Sequence, residues 1–509
     1  MFRFSDQLLK AARTWPDNPA VTCAAGTLTW AALIDRCQQL AQVLAAHGVG
    51  PGDRVGFLGF NGHMGVETFY APPFIGASVV PLNVRLAVPE LIQTINDCRP
   101  RVVIVDADHA DMLAACLPDC PSVMLVLSAT PREGWTPYED ALAAQPATPP
   151  ARDLIGGGDD MLVMYYTGGT TGRPKGVMLS HTNLFANSMG LLGAWHLPEG
   201  DAYAVTGPLF HSAAGARIFV SVFLGSHMFL QARFDIPGLL RGIEDHRIAM
   251  AQFVPTMLAM MLDHPDFGRF DTSSIRMVSY GGAPMPPDLL ARTMRAFPGV
   301  RFGQAFGMTE ASPIVTYLNP EDYEDLGSPR LNSLGRAAAF ADLMIFDEND
   351  MPLPPGEIGE IVTRGPNVML GYWDQPDQTA EAMRGGWYHT GDAGYLDADG
   401  YLYLSGRIKD MIITGAENVY PIEVEQVLDS HPAVHQVAVI GVPDAKWGER
   451  VHAVIQLIGE ATEAELIAYS RARLAGYKCP KTMTLTRDPL PLTRVNKIDK
   501  VALRAAHPA

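Results

Sequence analysis

Apolar positions along the first half of the chain alternate between two rhythms. After Thr29, the residues Trp30, Leu33, Ile34, Cys37, Leu40, Ala41 and Leu44 follow a period of roughly 3.6 and predict a helix. Thr29 is its expected cap and Gly48 its stop. Arg54 to Phe60 then reads as a strand, Leu91 to Ile95 as helical, and Arg101 to Val105 as a buried strand. Arg276 to Tyr280 is a further strand, followed by a turn and a helix from about Pro287 to Phe297. Strands alternating with helices predict an α/β lobe of layered, largely parallel sheets. Phe4 to Trp15 is amphipathic, and packing on this lobe is the expected use of its apolar face.

The rhythm changes after about Gly400. Pro421 to Leu428 predicts a short helix, and Val434 to Val442 and Glu449 to Leu457 predict two strands joined by a polar turn. Thr462 and Glu465 have the spacing of a capping box ahead of a helix from Leu466 to Leu474. The expected organisation is a large lobe over 1–405, a hinge at 406–410 and a small mobile α+β domain over 411–509. Gly156-Gly157-Gly158 reads as a flexible loop. No internal repeat is visible.

Composition narrows the class. Of 509 residues, 48% are apolar and 18% charged, the profile of a folded globule. The formal net charge is −17 without any run of Lys and Arg, which argues against a nucleic-acid binder. An anionic substrate would therefore need a local positive site. The six cysteines lack a zinc-ligand spacing and read as reduced thiols. Met1 to Ala20 has no secretory apolar core. The most apolar stretch, Ile218 to Leu230, is broken by Gly225, Ser226 and His227 and is too short to span a bilayer. A cytoplasmic location is the expectation. No strand leads into a Gly-x-Gly-x-x-Gly turn with a distal acid, which argues against a dinucleotide oxidoreductase.

The chemistry concentrates at 166–176, Tyr-Thr-Gly-Gly-Thr-Thr-Gly-Arg-Pro-Lys-Gly. Glycines let backbone N–H groups turn toward an anion. Thr167, Thr170 and Thr171 add hydroxyls among Gly168, Gly169 and Gly172, and Lys175 adds charge. The segment is a phosphate loop by chemistry, and on its own also reads as a plain surface loop. It is not a Walker A loop, because Gly176 stands where Ser or Thr is required.

The segment closely resembles the signature loop of the adenylate-forming superfamily of acyl-CoA synthetases and related enzymes, whose usual form is Thr-Ser-Gly-Thr-Thr-Gly-x-Pro-Lys-Gly. Further motifs follow in that family's order. Pro208-Leu209-Phe210-His211 resembles the acyl-pocket motif, and Gly281-Gly282-Ala283-Pro284 the adenine-side turn. Gly303-Gln304-Ala305-Phe306-Gly307-Met308-Thr309-Glu310 is similar to Gly-Gln-x-Tyr-Gly-Met-Thr-Glu. Gly386 to Asp392 resembles the ribose-binding segment, Gly406 to Asp410 the hinge, and Glu417 to Pro421 the start of the mobile domain. Lys497 stands where the late catalytic lysine belongs. Three positions depart from the pattern: Gly168 for Ser, Phe306 for Tyr, and Asn496 for Gly.

This resemblance implies an ATP-dependent acid:CoA ligase. It would form an acyl-adenylate with release of pyrophosphate and pass the acyl group to CoA, with Mg²⁺ as metal. The residues have chemistry suited to these roles. Thr309 can donate to phosphate, and Glu310 can hold Mg²⁺. Phe306 can stack on adenine. Asp392 can accept from the ribose hydroxyls, Arg407 can donate to ribose or phosphate, and Lys497 can neutralise charge between carboxylate and α-phosphate. The small domain would turn near Lys409, and the Thr414-Gly415-Ala416 turn would line the thiol's approach. Taken singly, Asp392 also reads as a turn acid, Phe306 as a core aromatic, Lys497 as a solvated lysine and His211 as a satisfied core histidine.

The pocket wall, Phe210 to Gly215 and Tyr280 to Ala283, is small and apolar, which suits a fatty or aryl acid. Arg217 follows the pocket motif. A surface or structural ion pair is its expected role, with recognition of a second carboxylate as the other reading. A carrier protein could replace CoA as acceptor, and a catalytically silent acyl or nucleotide binder is the rival outside enzymology. Peripheral membrane contact by the N-terminal segment and a homodimer are further open readings.

Overall fold

The computed structural model describes residues 2–150, 156–167, 174–283, 285–414, 417–444, 446–493 and 498–507. The chain divides into two compact units, one of 1–343 with 363–388 and the other of 344–362 with 389–509.

Two large sheets form the frame of the first unit. In the longer one, the strands Ala202–Val205, His227–Leu230, Met250–Phe253, Met277–Gly281 and Arg301–Phe306 run parallel. Thr316–Leu318 adds antiparallel to Arg301–Phe306, and Arg336–Ala337 pairs outside it. In the other, Arg54–Leu58, Ser78–Pro81, Val102–Val105 and Leu125–Ser128 are parallel, and Met161–Thr167 pairs antiparallel with Lys175–Ser180. The parallel strands are continuous apolar runs such as Val102–Val105, buried at every position, as expected of strands covered on both faces. The expected layered α/β lobe is present.

Local elements follow from local chemistry. The helix Trp30–Ala46 starts where the Thr29 hydroxyl accepts from the Ala32 N–H at 3.2 Å and ends before Gly48, whose φ is +74°. The segment Ile218 to Leu230 splits between the helix Arg217–Leu224 and the strand His227–Leu230, and among the described residues no helix is long and apolar enough to cross a membrane. The amphipathic helix Phe4–Thr14 buries Phe4, Leu8 and Ala11 completely. Its first N–H, on Phe4, donates to His181 Nδ1 at 3.3 Å, and burial pushes the His181 pKa down to about 4. Gly156 to Gly158 departs from the expectation of a loose loop. A side chain on Gly157 would meet Arg3 Cγ at 2.5 Å, and the Gly158 N–H donates to the Phe2 carbonyl at 2.7 Å. These glycines serve close packing.

The second unit holds most of a four-stranded sheet of Asp342–Phe346, Gly359–Arg364, Tyr388–Leu396 and Leu402–Arg407. It also holds a smaller sheet built on the antiparallel pair Val434–Asp444 and Gly448–Leu457. The helix Glu463–Arg471 begins at the expected capping box, with Thr462 Oγ1 accepting from the Glu465 N–H at 3.2 Å. All six cysteines are free thiols.

Candidate active site

Parallel register brings motifs far apart in sequence to one edge of the longer sheet. Gly281 and Ala305 are paired at the carboxyl ends of their strands. The turn beyond Gly281 passes through Gly282, exposed and at φ +79°, a conformation that favours glycine. Ala283 is exposed beside it. Phe306, at the end of its strand, is half-buried. Gly307 follows where the chain passes so close to its neighbour that a Cβ would lie 2.0 Å from the Pro313 carbonyl oxygen. Crevices at the carboxyl ends of parallel strands are where such sheets hold ligands.

Beyond Gly307 the backbone is extended at Met308 and then tightens into a short turn of helix, Thr309–Ala311. That turn is anchored by the Met369 N–H, which donates to the Glu310 carbonyl at 2.8 Å. The hydroxyls of Thr309 and Ser212 lie 3.0 Å apart. Ser212 opens the short helix that follows His211, whose half-buried ring packs on Phe210 at 4.8 Å. The residue that follows Pro208–His211 thus touches the Thr309-Glu310 turn directly.

A third element completes the cluster. The Tyr372 hydroxyl donates to Glu310 Oε1 at 3.0 Å, and the Lys175 ammonium lies 4.7 Å from the centre of the same ring. Burial first, and the Glu310 charge second, push the Tyr372 pKa well up, so this residue is a fixed donor. Lys175 opens the strand that returns from the phosphate loop, paired with Thr167 across the hairpin. Cation, carboxylate and hydroxyls therefore converge near the start of the strand Lys175–Ser180. Gln304, next to Ala305, is buried.

Sequence reasoning did not single out Ser212 or Tyr372. Tyr372 stands far from Glu310 in the chain and meets it because Gly371–Tyr372 adds a strand beside Lys175–Ser180. No local pattern announces that pairing.

In the second unit Asp392 and Arg407 face each other across an antiparallel pair. Arg407 Nε lies 2.6 Å from Asp392 Oδ1, with Asp392 buried and Arg407 half exposed. The candidate ribose acid is thus held by the candidate phosphate cation. Lys409 lies in the short turn Ile408–Asp410, and burial lowers its pKa. Gly168, Gly169, Thr170, Thr171, Gly172, Pro284, Gly415, Asn496 and Lys497 lie outside the described residues.

Arg217 departs from its expected place in a surface or structural ion pair. It is buried, and among the described residues no carboxylate pairs with it. Its guanidinium lies 5.5 Å from the Trp195 ring and 5.0 Å from the Tyr203 ring.

The chain matches the model of the AMP-binding enzyme family over residues 8–373 and that of the AMP-binding enzyme C-terminal domain over 423–497. It is 41% identical over 499 residues to a feruloyl-CoA synthase of an Amycolatopsis species, with 97% of each chain covered. It is 36% identical to an indoleacetate–CoA ligase of Aromatoleum aromaticum, covering 96% of this chain and 95% of that one. A fatty acyl CoA synthetase of Mycobacterium tuberculosis superposes with a TM-score of 0.81 at 32% identity, covering 99% of this chain and 98% of that one.

Proposed function

We propose that this chain, which belongs to the AMP-binding enzyme family and is an AMP-forming acid–thiol ligase, activates an aryl or arylalkyl carboxylic acid. The relatives named for feruloyl and indoleacetate groups, at 41% and 36% identity over nearly the whole chain, support an aromatic acyl group. The observation that carries the site assignment is the convergence of Lys175, Ser212, Thr309, Glu310 and Tyr372 at the carboxyl edge of the parallel strands.

The reaction joins a carboxylate to a phosphate already crowded with negative oxygens, so catalysis is mainly positioning and charge neutralisation. A carboxylate oxygen of the acid attacks the α-phosphorus of ATP, and pyrophosphate leaves. The CoA sulfur then attacks the acyl carbon, and AMP leaves. In this reading Lys175 and the phosphate loop hold the β- and γ-phosphates, and Thr309 donates to the α-phosphate. Phe306 offers its face to adenine, and Gly282 and Ala283 pass along its edge. Asp392 accepts from the ribose hydroxyls while Arg407 fixes that carboxylate. Lys497 balances the charge moved in the first step.

Glu310 fits a magnesium ligand. One oxygen accepts from Tyr372, and the other has no partner among the described residues; a hard cation prefers such an oxygen. Bound Mg²⁺ would neutralise phosphate charge. A cytoplasmic location, where ATP and CoA are at hand, suits this chemistry.

The test is acid-dependent exchange of pyrophosphate into ATP over matched aryl and alkyl acids. Exchange that is faster by tenfold or more with aryl acids is the expected result. Equal or faster exchange with alkyl acids would replace the aryl assignment with a fatty one.

A further inference from the structure

Arg217 sits at the beginning of the helix Arg217–Leu224 and lines a cavity of about 130 Å³ together with Trp195, Tyr203, Met250, Met277 and Arg301. It is 6% exposed. Its nearest described companions are the faces of Trp195 and Tyr203, the Tyr203 hydroxyl as hydrogen-bond partner, and the Met250 sulfur at 2.9 Å from Nη2. Among the described residues the only carboxylate lining the cavity, Asp201, is ion-paired with Arg276 at the rim. A guanidinium has several N–H donors in a fixed fork, and an isolated buried charge is costly unless an anion or acceptor meets it.

Two neighbouring donors lack acceptors among the described residues. The Trp195 indole N–H and the Tyr317 hydroxyl are buried without a hydrogen-bond partner among the described residues, and their rings meet at 5.7 Å. Tyr203 gives its own proton to Gln252 Oε1 at 3.1 Å.

The cavity is lined by the amino ends of strands whose carboxyl ends lead to the catalytic cluster. Register pairs Met277 with Arg301, then Ser279 with Gly303, then Gly281 with Ala305. Alternate residues share a face of a strand, so one wall runs from the cavity to the adenine-side turn through Ser279, Gly303 and Ala305. Ser279 Oγ on this wall is itself buried and unpartnered among the described residues. From Met277 to Gly281 the strand spans about 13 Å. Midway along it the Trp195 and Met277 side chains lie against Gly303, within 3 Å of where a Cβ would be. Ser212, which touches Thr309, starts the helical stretch that leads to Arg217.

We propose that Arg217, with the Trp195 indole N–H, forms the far end of the acid pocket and binds an acceptor oxygen on the end of the acid remote from its carboxylate. The oxygen is a phenolic hydroxyl or phenolate, or a second carboxylate. This rests on the aryl-acid ligase reading and sharpens it. A plain alkyl or methyl-tipped acid of equal length would leave the guanidinium facing a methyl group, and a site built to hydrogen-bond an oxygen rejects an analogue that lacks it.

The test compares kcat/KM for pyrophosphate release with arylpropenoic acids bearing para-hydroxyl, para-carboxyl or para-methyl groups. The wild type, Arg217→Met and Arg217→Lys are assayed alongside thermal denaturation. The wild type should prefer an oxygen-tipped acid over the methyl acid by roughly 100-fold or more. Arg217→Met should lose that preference while keeping or raising activity on the methyl acid, and Arg217→Lys should keep part of it. Whichever of hydroxyl and carboxyl responds more to the variants names the oxygen. Arg217→Met should also melt at or above the wild-type temperature, since a hydrophobic residue replaces a buried charge that no carboxylate meets among the described residues.

An unchanged preference in Arg217→Met, a wild type indifferent to the tip, or a large loss of thermal stability would each overturn the inference. Failure of the underlying reading looks different: aryl acids of every tip would support no pyrophosphate release in any variant.

Discussion

Glu310 receives a hydrogen bond from Tyr372 on one oxygen and shares that ring with the Lys175 ammonium. Glu310→Gln keeps an acceptor for Tyr372 but removes the negative charge. If Glu310 holds magnesium, pyrophosphate release should fall by roughly 100-fold. The Mg²⁺ concentration for half-maximal rate should rise, and the melting temperature should stay close to the wild type. An unchanged rate and Mg²⁺ midpoint would remove the metal role. At this scale the candidate chemistry was legible because it depends on residue type in a fixed order: Thr309, Glu310, Lys175 and His211 lie on segments that meet. Ser212 and Tyr372 were not, since each acts through a contact made by the fold. Arg217 was misplaced for the same reason. Its ordinary partner is a carboxylate, and nothing local reveals that it is buried against Trp195 and Tyr203.

Elements were legible where a single period or cap decides them. Thr29 starts its helix, Thr462 with Glu465 starts another, and the buried strand Val102–Val105 is continuous and apolar. The helix expected at Leu466–Leu474 begins earlier, at Glu463, and stops at Arg471, because the cap and not the first apolar residue sets its start. Glycines were legible as glycines but not by purpose. Gly307 has backbone 2.0 Å from where a Cβ would be, whereas Gly193, inside the helix His181–Trp195, has nothing within 4 Å. Gly307→Ala should therefore force the Pro313 segment to move, costing about 1–3 kcal/mol and most of the pyrophosphate exchange. Gly193→Ala should gain about 0.5–1 kcal/mol through helix propensity. Thermal denaturation of the two variants checks both, and equal effects would show that the close approach at Gly307 is relieved without cost.

Across the whole molecule, the two sheets of the first unit follow from the alternation of strands and helices. Their strand order does not, since it depends on pairings between distant segments. The second unit takes in 344–362 as well as the chain from 389 onward, an excursion with no sequence signal. We propose that backbone rotation at Lys409, within 406–410, separates the two half-reactions. Lys409→Pro fixes φ there. It should slow acyl-CoA formation at least tenfold more than acid-dependent pyrophosphate release, read from the two rates on one enzyme preparation. Equal losses would count against a hinge at this position.

We propose above all that the chain couples ATP cleavage to thioester formation on an aryl acid. The most direct test is mass spectrometry of a reaction holding the protein, ATP, Mg²⁺, CoA and a para-hydroxylated arylpropenoic acid, with parallel reactions lacking CoA or the acid. AMP and the aryl-CoA thioester are expected in equal amounts, formed only when all components are present. Aryl-adenylate and pyrophosphate without any thioester, even with CoA in excess, would contradict the proposal and point to a carrier-protein thiol as the acceptor.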